Sequence, residues 1–280
     1  MTFNGVTLVH SSDLHIGDEE TTRACGGDET LVLARVLDAA RTVRADAVLL
    51  AGDVFENNRV PRTLADRVAG LLAGAGRPVV VLPGNHDPLV ADAVWRYIAR
   101  AAPDNLFVLG VTRPRAVVLP RLGLEVWGNP HRSYDDMAPL RAPRRRHTAF
   151  QVVLAHGHYE PVPDRRRRLR PAWLIGAAEI AATGADYVAL GHWNRATAVA
   201  GGAVSAHYSG SPELSRSVNV VTLGGGGGPP ARARVTRRAL AFLIDGSLLD
   251  RRVAAVLARA VLTPSPPGGT IAGQKRKRFR

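Results

Sequence analysis

At 280 residues and 46% hydrophobic content, the chain can build one large α/β domain, or one domain with an appendage. A net charge of +13 and a pI near 11.2 favour a polyanionic partner, nucleic acid first and an anionic membrane second. A single cysteine, Cys25, excludes an internal disulfide framework and a cysteine-rich zinc site. No apolar run reaches the ~18 residues of a membrane span, so a soluble cytoplasmic protein is expected.

The opening run Val6–Ser11 is apolar and β-branched, the composition of a buried strand, and it gives way to Asp13 and His15. Residues 17–27 read as a polar loop. A helix is predicted from Asp28 or Thr30 to about Arg44, then a strand over 46–51 ending in Gly52-Asp53. A second helix, from Pro61 to Ala73, leads into a strand over 78–82 ending in Gly84-Asn85-His86-Asp87. Helix-length crossovers between strands call for a parallel sheet.

Residues 88–102 read as a helix around Trp95 and Ile98, and shorter strands follow near 106–109, 115–119 and 122–128. The last of these ends in Asn129-Pro130-His131. A strand over 151–155 ends in His156-Gly157-His158. A helix over 171–183 precedes a strand over 186–190 ending in Gly191-His192-Trp193-Asn194, and alternating strands near 196–200 and 203–208 lead into Tyr208-Ser209-Gly210-Ser211-Pro212. The domain reading is a catalytic unit over 1–223, a Gly/Pro linker over 224–230, and a basic extension over 231–280. Within that extension 248–262 has the pattern of a basic amphipathic helix, and Lys275–Arg280 reads as a disordered cationic tail.

Five predicted strands therefore end in metal-ligand residue types: Asp13 with His15, Asp53, Asn85 with His86, His156, and His192 with Asn194. Ligands bind at the carboxyl ends of strands in open α/β sheets, and five such ends on one sheet would converge on a single edge. Nitrogen and oxygen donors without thiolate suit manganese, iron or zinc better than magnesium or calcium. The donors suffice for two metals with Asp53 as a bridge, and two metals clamp the attacking and leaving oxygens of a phosphoryl displacement. Phosphoester hydrolysis is the chemistry this pattern indicates.

Asp-x-His, Gly-Asp, Gly-Asn-His-Asp, a lone strand-end His and Gly-His-x-x, in this order over residues 5–215, resemble the calcineurin-like metallophosphoesterase superfamily. Ser12–Gly17, Ala51–Glu56 and Tyr208–Pro212 look most like its DNA-repair exonuclease branch, that of the SbcCD-type nuclease subunits. The resemblance implies an α/β sandwich of mixed β-sheets flanked by helices, two divalent metals with Mn2+ foremost, and phosphodiester hydrolysis by a metal-bridging hydroxide. It implies that Asp13 and His15 hold the first metal, that Asp53 bridges, and that Asn85, His156 and His192 complete the second. His86 would face the leaving-group oxygen as general acid, with Asp87 orienting it.

One position departs from the family. Gly-His-x-His is the usual last motif, and its second histidine is replaced here by Asn194, a weaker donor to a transition metal, so a looser first site is expected. His158 is an alternative to His156. Asn129 and His131 have either a substrate contact or a loop role, and His207 reads as a strand residue.

Arg132 and Arg166, beside the arginine runs at 144–146 and 165–168, are the expected substrate contacts, as grips on a phosphate backbone. Both lysines, Lys275 and Lys277, lie in the tail, so arginine-biased coding explains those runs about as well. Nucleic acid is the favoured substrate. The alternatives are a nucleotide or cyclic-nucleotide phosphohydrolase, and a non-catalytic scaffold of the same fold. The branch's nuclease subunits pair with a coiled-coil ATPase of the SbcC type, a partner that no heptad pattern here supports. A membrane partner is not expected.

Overall fold

A computed structural model describes residues 5–166, 171–224 and 233–242. The linker over 224–230 from its second residue on, the amphipathic segment at 248–262 and the cationic tail lie outside the described residues.

The apolar β-branched runs become strands because both of their faces are covered. β1 (Val6–Ser11), β2 (Ala47–Ala51), β3 (Val79–Leu82) and β4 (Leu106–Val108) pair in parallel. On the other side of β1 lie two strands absent from the sequence reading, β11 (Ser217–Leu223) and β12 (Arg234–Ala239), both in antiparallel pairing. This first sheet has the order β12-β11-β1-β2-β3-β4. The second sheet comprises β5 (Ala116–Leu119), β6 (Leu124–Gly128), β7 (Phe150–His156), β8 (Tyr187–Gly191), β9 (Thr197–Val199) and β10 (Ser205–Tyr208), in the order β5-β6-β7-β8-β10-β9. The ligand-bearing strand ends thus do not share one sheet: three belong to the first and two to the second.

Leu8, Leu49, Val80 and Leu82 of the first sheet meet Val126, Val152, Leu154 and Tyr187 of the second in a buried interlayer. The outer face of the first sheet is closed by α2 (Leu31–Thr42) and α3 (Arg62–Ala73), which bury Val32, Leu33, Val36, Val68 and Leu72 at helical spacing. The outer face of the second is closed by Ile175 and by Ile180 of α5 (Ala177–Ala182).

Two predicted helices come out shorter than expected. Pro88 and the buried turn after it delay α4 to Val94–Ile98, which tightens into a 3-10 turn over Ala99–Ala101, and the 171–183 segment is helical only as α5. The polar loop after β1 contains a short α1 (Glu19–Ala24), capped by the Asp18 carboxylate accepting from the Thr21 amide.

Candidate metal centre

His156 is the last residue of β7, and the other ligand-type residues lie just past their strands, where the backbone turns sharply. Asp13, His15, Asp53 and His192 all have positive φ, at 55°, 46°, 51° and 106°. Such conformations cost about 1–3 kcal/mol each in a non-glycine residue and persist only where their surroundings over-determine them. Here the loops after β1 and β2 zip together. The Asp13 amide donates to the Gly52 carbonyl at 3.0 Å, and the Leu14 and His15 amides both donate to the Asp53 carbonyl, at 2.9 and 3.2 Å. Asp13 and Asp53 are thereby held side by side, each 1% exposed.

The second sheet completes the cluster. His156 Nε2 lies 3.0 Å from Asp53 Oδ2 and 2.9 Å from Asn85 Oδ1, while its Nδ1 faces the Ala51 carbonyl at 2.9 Å. With Nδ1 donating to that carbonyl, Nε2 is the nitrogen able to exchange its proton for a cation. The His192 amide donates to both Asp13 oxygens, at 3.1 and 3.0 Å, and its Nδ1 is 3.2 Å from Asn85 Oδ1. The ligand atoms of Asp53, His156 and His192 lie within 4.8 Å of one another, as do those of Asp13, His15 and Asp53.

Close approach is possible only because glycines flank the cluster. A Cβ on Gly52 would sit 2.1 Å from His156 Nδ1, and one on Gly84 would sit 2.2 Å from Asp53 Oδ1. Nitrogen and oxygen donors converging without thiolate, in a cradle with no room for further side chains, fit a pair of divalent metals. Cys25 is buried next to α1, and no metal-ligand group of the described residues includes it.

Burial and the neighbouring charges pull the cluster's groups in opposite directions. Burial works to raise Asp53, but the His156 imidazole, as charge and as hydrogen-bond partner, together with His86 holds it below the usual carboxylate range. Burial likewise opposes a charged His156, yet Asp53 and then Asp13 lift it to about 9. His192 is pushed down to about 3 by burial and by the charge on His156. Asp13 is raised by burial. The pocket thus keeps positive charge beside its buried carboxylates.

Toward solvent, a third group joins His15, Glu56 and His86. His15 Nδ1 is 2.7 Å from Glu56 Oε2. His86 Nδ1 lies 2.9 Å from the Glu56 backbone carbonyl and 3.4 Å from Oε1, and its amide donates to Asp53 Oδ1 at 2.8 Å. Burial disfavours a charged His86, but Asp53 and then Glu56 outweigh it and raise its pKa.

The expected role of Asp87 is not met. Its buried carboxylate accepts from the amides of Gly84 (2.7 Å), Val54 (3.0 Å) and Phe55 (3.2 Å) and from Trp95 Nε1 (2.9 Å). It ties the β3 loop to the β2 loop, and it is Glu56 that orients the His86 ring. Nothing short-range in the sequence distinguishes the two acids; only the fold brings Glu56 under both histidines.

The remaining predicted residues divide clearly. His158 Nδ1 accepts from Trp193 Nε1 at 3.0 Å, while His156 is the histidine that joins the cluster. Asn129 holds its own loop by donating to the carbonyls of Pro139 and Arg141, and buried His131 pairs with the His156 carbonyl at 2.9 Å. His207 lies on β10, stacked on Tyr187. Asn194 is exposed and lines a cavity with Arg195 and Arg237. Arg132 lines a different cavity, of about 260 Å3, with Arg115 and Arg141. The Arg166 side chain is exposed, and its amide is bonded to Asp164. Among the described residues neither Arg132 nor Arg166 contacts the cluster by hydrogen bond or ion pair.

Behind Asp13 runs a buried polar chain the sequence did not announce. Ser12 Oγ donates to Asp13 Oδ2 at 2.5 Å and pairs with Ser209 Oγ at 2.8 Å, and the Ser209 carbonyl accepts from Arg237 at 2.9 Å. Arg237 also donates to Asn219 Oδ1 at 3.0 Å. His10 Nδ1 lies 2.9 Å from the Tyr187 hydroxyl, and Asn219 Nδ2 is 3.4 Å from both.

A model of the calcineurin-like phosphoesterases matches residues 6–196. The chain is 27% identical over 245 residues to SbcD of the nuclease SbcCD from Escherichia coli K12, covering 73% of this chain and 60% of that protein. It is 23% identical over 242 residues to the Bacillus subtilis protein of the same name, covering 73% and 61%. The chain thus spans about 60% of the length of these curated relatives. Among solved structures, a proposed 5′-nucleotidase from Staphylococcus aureus superposes with a TM-score of 0.57 at 15% identity, over 91% of this chain and 58% of that one. At that identity the likeness concerns the fold, which is the two-sheet α/β sandwich. With the matched region spanning both sheets and all five ligand-bearing strand ends, the chain belongs to the calcineurin-like phosphoesterase family.

Proposed function

We propose that the chain is a metal-dependent phosphodiesterase acting on nucleic acid, exonuclease-like. The observation that supports this most directly is the sharing of Asp53 between two donor groups, one with Asp13 and His15 and one with His156 and His192. In this reading Asp13 and His15 hold a first metal with Asn194 beside it, Asn85, His156 and His192 hold a second, and Asp53 bridges. Manganese is the proposed ion, because mixed imidazole and carboxylate donors without thiolate suit it. When bound, the metals supply Lewis-acid polarisation of the phosphoryl oxygens and an activated water near neutral pH.

This chain's residues do the rest. The Glu56 carboxylate fixes the His15 ring through Nδ1, which turns Nε2 toward the cluster. His86, 39% exposed at its side chain, has Nδ1 occupied by the Glu56 carbonyl and Nε2 left to face a substrate. Asp53 and Glu56 raise its pKa, which favours the protonated form that donation to a leaving-group oxygen requires. Asp87 shapes the loop that presents His86. The relatives are named as one component of a two-component nuclease, SbcCD, which makes a protein of the SbcC kind the proposed partner. No helix of the described residues is long and apolar enough to cross a membrane.

Hydrolysis of labelled single- and double-stranded DNA beside bis-p-nitrophenyl phosphate, with manganese added, tests the proposal. Cleavage of DNA is the expected result. Turnover of the small diester without cleavage of either DNA would overturn the nuclease reading in favour of a small-substrate phosphohydrolase. Turnover of neither would favour a scaffold.

A further inference from the structure

A cavity of about 690 Å3 opens where the loop after β8 meets α6 (Pro212–Ser215) and the β11–β12 edge. Asn194, two residues past His192, forms one wall. Arg195, Leu214, Ser217 and Arg237 contribute to the others, and among the described residues no carboxylate lines it.

The two arginines differ from others in this arginine-rich chain. Arg146 and Arg144 reach buried acids, Asp186 and Glu125. Arg237 is held by neutral acceptors only: the Ser209 carbonyl, Asn219 Oδ1 and the Ser217 hydroxyl. Among the described residues it has no acidic partner, and partial burial works against its charge. A guanidinium fixed in place by neutral groups keeps its full attraction for an incoming anion, because a partly buried charge is favourable only when paired. Arg195 is exposed, and its side chain forms no hydrogen bond or ion pair among the described residues. Leu214, 59% exposed at the rim, supplies an apolar surface beside the two charges. A phosphate next to a sugar or base presents the same pairing.

The cavity is also mechanically tied to the centre. Arg237 donates to the Ser209 carbonyl, Ser209 pairs with Ser12, and Ser12 donates to Asp13. An anion seated on Arg237 therefore has a constant position relative to the first metal's ligands. We propose that this cavity binds a backbone phosphate of a nucleic-acid strand, flanking the phosphate to be cleaved, with Arg195 and Arg237 as the contacts. This rests on the phosphodiesterase reading for its reaction, but not for its binding. Among the described residues no aromatic side chain lines the cavity, so the grip is on the backbone and carries little base preference.

The test uses the full chain and Arg195→Glu, an exposed position where folding is not at stake, with Arg121→Glu, in the turn between β5 and β6 at the other edge of the second sheet, as a control of equal charge. Binding of a short fluorescein-labelled single strand is followed by anisotropy in EDTA. Arg195→Glu is expected to weaken binding on the order of tenfold and to reduce the log-salt slope by about 1, beyond any effect of the control. Arg195→Lys should recover most of the loss. With manganese, the ratio of kcat/KM on the strand to kcat/KM on bis-p-nitrophenyl phosphate should fall by a similar factor.

Equal losses for Arg195→Glu and Arg121→Glu would overturn the proposal. So would a free 5′-nucleotide that displaces the strand and loses affinity to the same extent, since the phosphate would then come from a mononucleotide. If the wild type cleaves nothing yet Arg195→Glu still weakens strand binding, the hydrolase reading falls and the cavity assignment stands. If the wild type cleaves DNA and Arg195→Glu binds and cleaves it as well as wild type, the reverse holds.

Discussion

The centre has a buried end and an open end, built on different principles. Asp13, Asp53 and His156 are at most 1% exposed, and apart from the Ser12 hydroxyl on Asp13 their side-chain contacts cross between loops or between sheets. His15, Glu56 and His86 are 21%, 31% and 39% exposed at their side chains, and all three come from the first sheet. The buried end exists only when the two sheets are stacked, and its charges are too deep to meet a substrate. Such an end is suited to holding cations. The open end can trade protons with what arrives from solvent.

That contrast can be broken or sharpened by substitution. The largest effect is expected at the buried bridge. Asp53→Asn should lower phosphodiester turnover on the order of 10³-fold or more, because both donor groups lose their shared carboxylate. Metal content after dialysis should fall with it. Retained metal and activity would break the division at its root.

At the open end, His86→Ala should cost about 10²–10⁴ in kcat, the usual range for a positioned acid, with metal content unchanged. Loss of metal would mean that His86 is a ligand. Glu56→Gln should weaken manganese binding about 10–100-fold, as found when the partner of a liganding histidine is removed, and titration calorimetry reads this without turnover. Asn194→His should tighten one of two binding steps on the order of tenfold by adding an imidazole; two equally tight steps in the wild type would refute a weakened first site.

The smallest effect concerns stability. Burial and then the neighbouring His207 press His10 down to about 3 from an ordinary value of 6.5. Below pH 6.5 the unfolded chain takes up a proton that folded His10 refuses, so stability falls as the pH drops from 6.5 toward 3. At pH 5 the loss is at most about 2 kcal/mol. His10→Gln should flatten that part of the profile, measured by urea unfolding without metal between about pH 7.5 and 5. An unchanged slope would assign the acid sensitivity to other histidines.

The strand ends were legible in the sequence because each is a local event: an apolar run stops and a ligand type follows within three residues. Parallel pairing of β1, β2 and β3 was legible from the helix-length crossovers. What escaped is nonlocal. Ser217–Leu223 alternates weakly and meets β1 only across most of the chain, and Arg234–Ala239 reads as a basic stretch because its strand lies at a sheet edge with one residue less than exposed. Glu56 as the acid beside His86 escaped for a similar reason. Adjacency in sequence suggested Asp87 for His86, but the β3 turn points that carboxylate inward to four donors, and a neighbouring loop supplies the acid.

β12 has a consequence for anyone trimming the protein. The matched family region stops at residue 196, yet β9 to β12 all lie beyond it. Excising 6–196 would leave β1 as a naked, flat, apolar edge with open ladder groups, the kind that templates intermolecular pairing and precipitation. Among the described residues the outermost strand of that sheet instead carries Arg234, Arg237 and Arg238, whose like charges repel a second copy. The shortest soluble piece is therefore expected to run through residue 242, and its solubility is set by a strand remote in sequence from the ligand motifs.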